Sequence, residues 1–129
     1  SDFIILRTVY STTIAIFYLV IHIKSLYIFI LKEINDQKDI TKEDLDSYIK
    51  EGATIIDVRS PQEYREGHVD GSICIPDYQI KRDIQKYVKD KDEIIVVYCS
   101  TGHRSQRCQQ ILENMGYTNV YNVYDGIII

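Results

Sequence analysis

The sequence contains few cysteines, and their number and spacing exclude two common uses of this residue. Only three occur in 129 residues: Cys74, Cys99 and Cys108. An odd and sparse count does not fit a disulfide framework, and no CxxC, HExxH or clustered Cys/His spacing indicates a metal site. We therefore expect free thiols, a reducing compartment and no bound metal.

Positive charge is also scarce. The chain carries 15 Lys and Arg against 19 Asp and Glu, which gives a formal net charge of −4. It has no run of five or more like charges, no low-complexity tract and no internal repeat. Binding to a polyanion draws much of its free energy from a basic patch that releases counterions. The composition therefore argues against a nucleic-acid partner, and the length fits one domain with a proper core.

Apolar residues are concentrated near the start of the chain. From Phe3 to Leu31, ionisable groups occur only at Arg7, His22 and Lys24. About 20 apolar residues are needed to cross a bilayer. This segment reaches that length only if the Lys24 side chain extends to the membrane interface.

Three interpretations of residues 3–31 remain open. The segment is a single membrane anchor, an apolar helix packed on the domain or used in dimerisation, or a cleaved signal peptide. The last has least support, because no small-x-small cleavage site follows the apolar run. In an anchor, Lys24, Lys32 and Lys38 would outnumber Arg7 on the other flank. The rest of the chain would then face the cytoplasm, tethered to the membrane.

After this apolar segment, which we assign to residues 1–38, residues 39–129 read as one domain of alternating strands and helices. The patterns predict helices beginning near residues 41, 60, 78 and 104, and strands over residues 54–58, 72–76, 93–99 and 119–124. This alternation predicts an α/β fold, a mainly parallel sheet with helices on both faces. The continuous apolar run over residues 93–99 is typical of a central strand.

Cys99 ends this central strand, where reactive groups gather in such folds. Gly102 permits backbone angles closed to other residues, and a tight curl over residues 100–104 turns successive amides inward as an anion cradle. The following helix N-terminus and Arg104 add positive charge. We expect these effects to lower the pKa of Cys99 and to favour a covalent intermediate such as a persulfide. The alternative is an inert core cysteine.

Two blocks of sequence, in this order, carry a resemblance to a known family. The first is "IIDVRSPQEYREGHVDGSICIP" (residues 55–76), and the second is "CSTGHRS" (residues 99–105). Together they resemble the rhodanese-like sulfurtransferase domain over about residues 40–127. The resemblance implies a five-stranded, mainly parallel sheet and transfer of a sulfane sulfur through a persulfide on Cys99. It also implies no cofactor, a small sulfur donor such as thiosulfate or a persulfide, and a thiol or protein acceptor.

The resemblance also implies a set of site residues around the catalytic Cys99. The substrate-binding candidates are Ser100, Thr101, Gly102, His103, Arg104 and Arg59. For His103 we favour a solvent-facing side chain, and for Arg59 a structural salt bridge is an equal alternative. We expect framework roles for Asp57, Glu63 and His68, and core packing for Cys74 and Cys108.

One spacing separates sulfur transfer from its main rival. Related phosphatases and arsenate reductases of this fold have Cys-x5-Arg, whereas this chain has Cys99-x4-Arg104, a smaller ring suited to a single sulfur. A non-catalytic binding or sulfur-carrier module is the other alternative. One departure concerns the C-terminus, where Asp125 replaces the first of two glycines usual in the family and puts the geometry of the last turn in question.

Overall fold

The computed structural model describes residues 2–35 and 38–129. The chain divides into two compact units, Ser1–Gln37 and Lys38–Ile129. The first unit contains helix α1 (Asp2–Asn35), whose described side chains are exposed throughout. Its segment Asp2–Leu31 is long and apolar enough to cross a membrane, a test that a signal sequence near the N-terminus also passes.

The second unit is built on a five-stranded sheet. Its strands are β1 (Asp39–Ile40), β2 (Thr54–Asp57), β3 (Ile73–Cys74), β4 (Ile95–Tyr98) and β5 (Val120–Val123). Their order is β1-β5-β4-β2-β3, and every pairing among them is parallel. The predicted α/β fold is therefore confirmed. Strand β1 was not predicted, because two residues are too few to give a period-two pattern.

Four helices connect the strands: α2 (Leu45–Lys50), α3 (Pro61–Glu66), α4 (Ile80–Tyr87) and α5 (His103–Asn114). The start of α3 is fixed by a reciprocal cap. The Glu63 amide donates to Ser60 Oγ at 3.2 Å, and the Ser60 amide donates to Glu63 Oε1 at 3.3 Å. Pro61 occupies the first helical position, where no amide hydrogen is needed. The cap thus places the Glu63 side chain at a defined point after β2.

Strand β4 supplies both halves of the core, because successive side chains of a strand point to opposite faces. Val97 and Cys99 pack with α4 and α5 on one face. Val96 and Tyr98 pack with Leu45 of α2 on the other. Helices therefore cover both faces of the sheet, as expected.

The turn after β5 lies directly against the loop that follows β4. The Ile127 amide donates to the carbonyl oxygen of Cys99 at 2.9 Å. Gly102 has a φ of +87°, and a Cβ there would overlap the carbonyl oxygen of Tyr124. Gly126 has a φ of +74°, whereas Asp125 has no positive φ. The turn therefore needs a glycine only at position 126, and Asp125 is compatible with it.

The contact at Gly102 generates a stability prediction. We expect Gly102→Ala to lower the free energy of unfolding by about 3 kcal/mol or more, because it combines an unfavourable φ with a backbone overlap. Gly52→Ala is the matched control, since Gly52 has a φ of +86° with open space around it. That variant should lose only about 1 kcal/mol. Urea unfolding of the full chain in mild detergent, followed by near-ultraviolet circular dichroism, measures both. Equal losses would contradict the predicted overlap.

Candidate active site

The sulfur of Cys99 lies in a ring of hydrogen-bond donors at the end of β4. The Gly102 amide donates to Sγ at 3.1 Å, and the Ser105 hydroxyl lies 3.3 Å from Sγ. Burial by itself raises the pKa of Cys99, but hydrogen bonds from the Ser105 hydroxyl and from the amides of Ser105, Thr101 and Gly102 outweigh it. The pKa is therefore lowered, and the thiolate is favoured.

Cys99 is also completely buried, with 0% of its surface exposed. Burial is what the core-cysteine interpretation expects, whereas inward-facing amides are what the reactive-sulfur interpretation expects. Both features occur together at this residue. A donor can therefore contact Sγ only after neighbouring groups move, and the sulfur is shielded from water in the meantime.

Ser105 is a site residue that the sequence analysis missed. It is fully buried in the first turn of α5, and its hydroxyl can instead donate to the Gly102 carbonyl oxygen at 3.2 Å. That carbonyl accepts a second bond from the Gln106 amide at 3.0 Å. The hydroxyl can therefore turn from the carbonyl to a thiolate without leaving the carbonyl unpaired. Its only signal in the sequence is a serine in the first turn of the helix after the loop.

Arg104, which the sequence predicted as a fixed cation near the sulfur, is bound to a carboxylate. Its guanidinium donates to Glu63 Oε1 at 2.8 Å and to Glu63 Oε2 at 3.0 Å. These bonds from Arg104 lower the pKa of Glu63 to about 2. The physical reason is topological: β2 and β4 are neighbours, so the loops at their carboxyl ends meet. Glu63 is thus part of the site as well as of the framework.

Arg59 lies in a buried ion pair with Asp57. Arg59 Nη2 donates to Asp57 Oδ2 at 2.7 Å and to the Gly67 carbonyl oxygen at 2.7 Å. The Tyr98 hydroxyl donates to the same carboxylate oxygen at 2.7 Å. This network matches the salt-bridge alternative for Arg59, and it ties the segment after β2 to the end of β4.

A cleft of about 230 Å³ lies beside the loop, lined by Arg59, Glu63, Glu66, Gly67, Ser100 and residues 127–129. Of the predicted substrate-binding residues, this lining brings together Arg59 and Ser100. Thr101 and His103 are exposed outside it, and the Thr101 hydroxyl lies 3.0 Å from His103 Nδ1. The solvent-facing position of His103 agrees with the interpretation favoured above.

The other two cysteines are free thiols in unreactive surroundings. Burial raises the pKa of Cys108 to about 12, and Cys108 packs in the core. Burial also raises the pKa of Cys74, which is only half-buried on the edge strand β3 rather than in the core. Within residues 2–35 and 38–129, no group of three or more His, Cys, Asp or Glu side chains is placed to hold a metal ion.

A strand-terminal cysteine, ringed by amides at the carboxyl edge of a five-stranded parallel sheet, defines a domain of the rhodanese class. Comparison with protein families gives the same result, because the model of the Rhodanese-like domain matches residues 41–127. The chain belongs to this family.

Two of the relatives that this chain resembles are named as thiosulfate sulfurtransferases. Thiosulfate sulfurtransferase PspE of Escherichia coli (strain K12) is 45% identical over 67 residues, which are 52% of this chain and 64% of that protein. The match thus spans less than two thirds of that relative. Thiosulfate sulfurtransferase GlpE of Stutzerimonas stutzeri (strain A1501) is 32% identical over 91 residues, 70% of this chain and 82% of that protein. Among solved structures, a rhodanese with anions from E. coli has a TM-score of 0.54 and 42% identity, covering 56% of this chain and 85% of that one.

The Ser105 hydroxyl generates a prediction about pH dependence. A thiolate reacts faster than a thiol, so the rate of Cys99 alkylation by iodoacetamide should rise with pH through the Cys99 pKa. Ser105→Ala removes a bond to the thiolate, so the midpoint should move to higher pH. The alkylation rate below the midpoint should fall about 10-fold.

Thr101→Ala is the control for this prediction. It removes a hydroxyl from the same loop but keeps the Thr101 amide that contributes to lowering the Cys99 pKa. Its midpoint should therefore stay close to that of the unaltered chain. Equal midpoints in the two variants would show that the Ser105 hydroxyl does not act on the sulfur.

Proposed function

We propose that this chain is a sulfurtransferase that moves a sulfane sulfur from a donor, such as thiosulfate or a persulfide, to a thiophilic acceptor. The transferred sulfur is carried as a persulfide on Cys99. The observation that supports this most directly is the ring of donors around Sγ, with the Gly102 amide at 3.1 Å. Such a ring stabilises a negative charge on sulfur without a metal or a charged side chain in contact with it.

The proposed reaction has two displacement steps. The Cys99 thiolate attacks the outer sulfur of the donor and forms a new S–S bond. The donor's own S–S bond breaks, and sulfite or a thiolate leaves with the electron pair. The product is a persulfide whose outer sulfur carries the negative charge. An acceptor thiolate or cyanide then attacks this outer sulfur, and the Cys99 thiolate leaves with its electron pair.

Three amides and one hydroxyl around Cys99 stabilise negative charge in this scheme. The Gly102 amide donates to the sulfur before the reaction begins, and the amides of Thr101 and Ser105 also favour the charged form, so these groups stabilise negative charge in both steps. The Ser105 hydroxyl adds a fourth donor. The burial of Cys99 excludes water, which strengthens these bonds and limits hydrolysis or oxidation of the intermediate.

Sulfur loading tests the residue and the reaction class together. We expect incubation of the full chain with thiosulfate or with a small-molecule persulfide to add about 32 Da, one sulfur atom, to Cys99. Cys99→Ser should abolish the added mass and the transfer to cyanide. Cys108→Ser, which alters a buried thiol of raised pKa, is the matched control and should retain both. Mass spectrometry of the intact chain and of its peptides measures the outcome.

Other results would favour the alternatives. Hydrolysis of aryl phosphates without any sulfur adduct would support the phosphatase alternative. Binding of a protein partner with neither activity would support a non-catalytic module.

We also propose that α1 tethers the domain to a membrane, with the domain on the cytoplasmic side. The exposed apolar side chains of α1 need an apolar environment, and a bilayer or a second copy of the helix would supply one. The 16 residues between Arg7 and Lys24 carry no Asp, Glu, Lys or Arg. In a helix they span about 24 Å, close to the thickness of a hydrocarbon core when both charged ends extend outward.

Vesicle flotation tests the tether. The full chain, transferred from detergent into phosphatidylcholine vesicles, should float with the lipid. Leu19→Lys, near the middle of the uncharged run, should reduce the floating fraction at least 10-fold, because a central lysine costs about 2.5–3.5 kcal/mol. Leu19→Ile is the control and should float normally. A chain that stays soluble without lipid as a dimer would support dimerisation instead.

A further inference from the structure

The arginines beside the active loop are already bound to carboxylates. Both terminal nitrogens of Arg104 donate to Glu63, at 2.8 and 3.0 Å. The pair is partly exposed, with 31% of the Arg104 side chain and 34% of the Glu63 side chain accessible. Arg59 also binds a carboxylate with two nitrogens, because its Nε and Nη2 donate to Asp57. Two nitrogens of each guanidinium are therefore committed to a carboxylate, which balances the positive charge that an anionic substrate would meet.

Negative charge also exceeds positive charge in the cleft next to the loop. Its lining contains two carboxylates, Glu63 and Glu66, and the cation Arg59, with apolar surface from residues 127–129. The single cation is the one paired with Asp57. Because the pKa of Glu63 is lowered to about 2 by Arg104, its carboxylate stays ionised at neutral pH. An approaching dianion therefore finds a surface without a net attraction.

We propose that Glu63 sets the charge preference for the sulfur donor by occupying the Arg104 guanidinium. Thiosulfate, a dianion, is disfavoured, and persulfides of small thiols with low net charge are preferred. This inference rests on the proposed sulfurtransferase function, and it assigns a substrate class to that site. Glu63 is a specificity-determining residue in this scheme, since it acts on the donor through Arg104 and through its own charge.

The two donor classes differ in what must enter and leave the site. From thiosulfate, the Cys99 thiolate takes the outer sulfur and sulfite dianion leaves with the electron pair of the broken S–S bond. From the persulfide of cysteamine, the same bond forms and cysteamine leaves as a thiolate whose charge its own ammonium group balances. Both steps leave one persulfide on Cys99 and need no other reactant. Because the two leaving groups differ in reactivity as well as in charge, it is the change in the rate ratio between variants that reports on charge.

Glu63→Gln tests this proposal. The variant frees the Arg104 guanidinium of its ionic partner, yet glutamine still serves at the third position of the capping box with Ser60. We expect the ratio of the single-turnover rate constants for Cys99 loading, thiosulfate over cysteamine persulfide, to rise about 10-fold. The readout is the intact mass of the full chain, which rises by about 32 Da on loading.

Glu113→Gln is the matched control. It removes the same charge from the far end of α5, where Glu113 lies 4.0 Å from Lys38. The length of α5 separates it from the loop by about 15 Å, which exceeds the Debye length of about 8 Å in physiological salt. The ratio should change less than twofold.

Salt dependence supplies a second readout that needs no variant. Because Arg104 is paired with Glu63, thiosulfate loading of the unaltered chain should change less than about threefold between about 20 and about 300 mM salt, a range over which the screening of exposed charges increases strongly. In Glu63→Gln the rate should fall more steeply, because a freed cation attracts the dianion.

Three results distinguish a failure of the inference on Glu63 from a failure of the proposed sulfurtransferase function. Equal donor ratios in Glu63→Gln and Glu113→Gln, with both variants folded, would overturn the inference. A steep loss of thiosulfate loading with salt in the unaltered chain would also overturn it, because it would reveal an accessible cation. No loading of the unaltered chain by either donor would instead reject the proposed function.

Discussion

The site depends on one balance of free energies, between burying a thiol and surrounding it with hydrogen-bond donors. Complete burial of Cys99 favours the neutral thiol, because a charge loses its hydration. The Gly102 amide at 3.1 Å and the donors of Ser105 reverse this preference. Without them, a cysteine in this position would resemble Cys108, whose pKa burial raises to about 12. The same strand-and-helix core thus contains one activated and one inert thiol.

The donor ring persists because distant parts of the chain hold its backbone. The turn after β5 holds the loop through the Ile127 amide, which binds the Cys99 carbonyl. The close approach of Gly102 to the Tyr124 backbone leaves no space for a side chain at position 102. On the opposite face of β4, Tyr98 binds Asp57 and fixes the strand that ends at Cys99. Reorganisation of the loop is therefore costly, which is the condition for preorganised stabilisation of charge.

The sequence predicted the parts of this arrangement that follow from local patterns. The alternation of strands and helices and the position of Cys99 at a strand end were all readable from periodicity and turn chemistry. The contacts of Arg104 and Ser105 were not. Arg104 lies 41 positions from Glu63, and their meeting depends on β2 and β4 being neighbours. The rotamer that brings the Ser105 hydroxyl to the sulfur depends on packing within α5. The periodicity of the sequence gives no information about that rotamer.

Because Arg104 is paired with Glu63, the electric field that favours the Cys99 thiolate comes from hydrogen-bond donors rather than from the Arg104 guanidinium. An arginine beside the thiolate would supply a full charge, but salt screens such a charge when it is partly exposed. Backbone amides supply smaller dipoles, and these can be neither titrated nor paired away by a mobile carboxylate. Gly102 and Ser105 are also buried, which shields their amides from solvent ions. The donors that favour the Cys99 thiolate are therefore the Ser105 hydroxyl and the backbone amides, which leaves Glu63 and Arg104 available to discriminate among donors without altering the Cys99 sulfur.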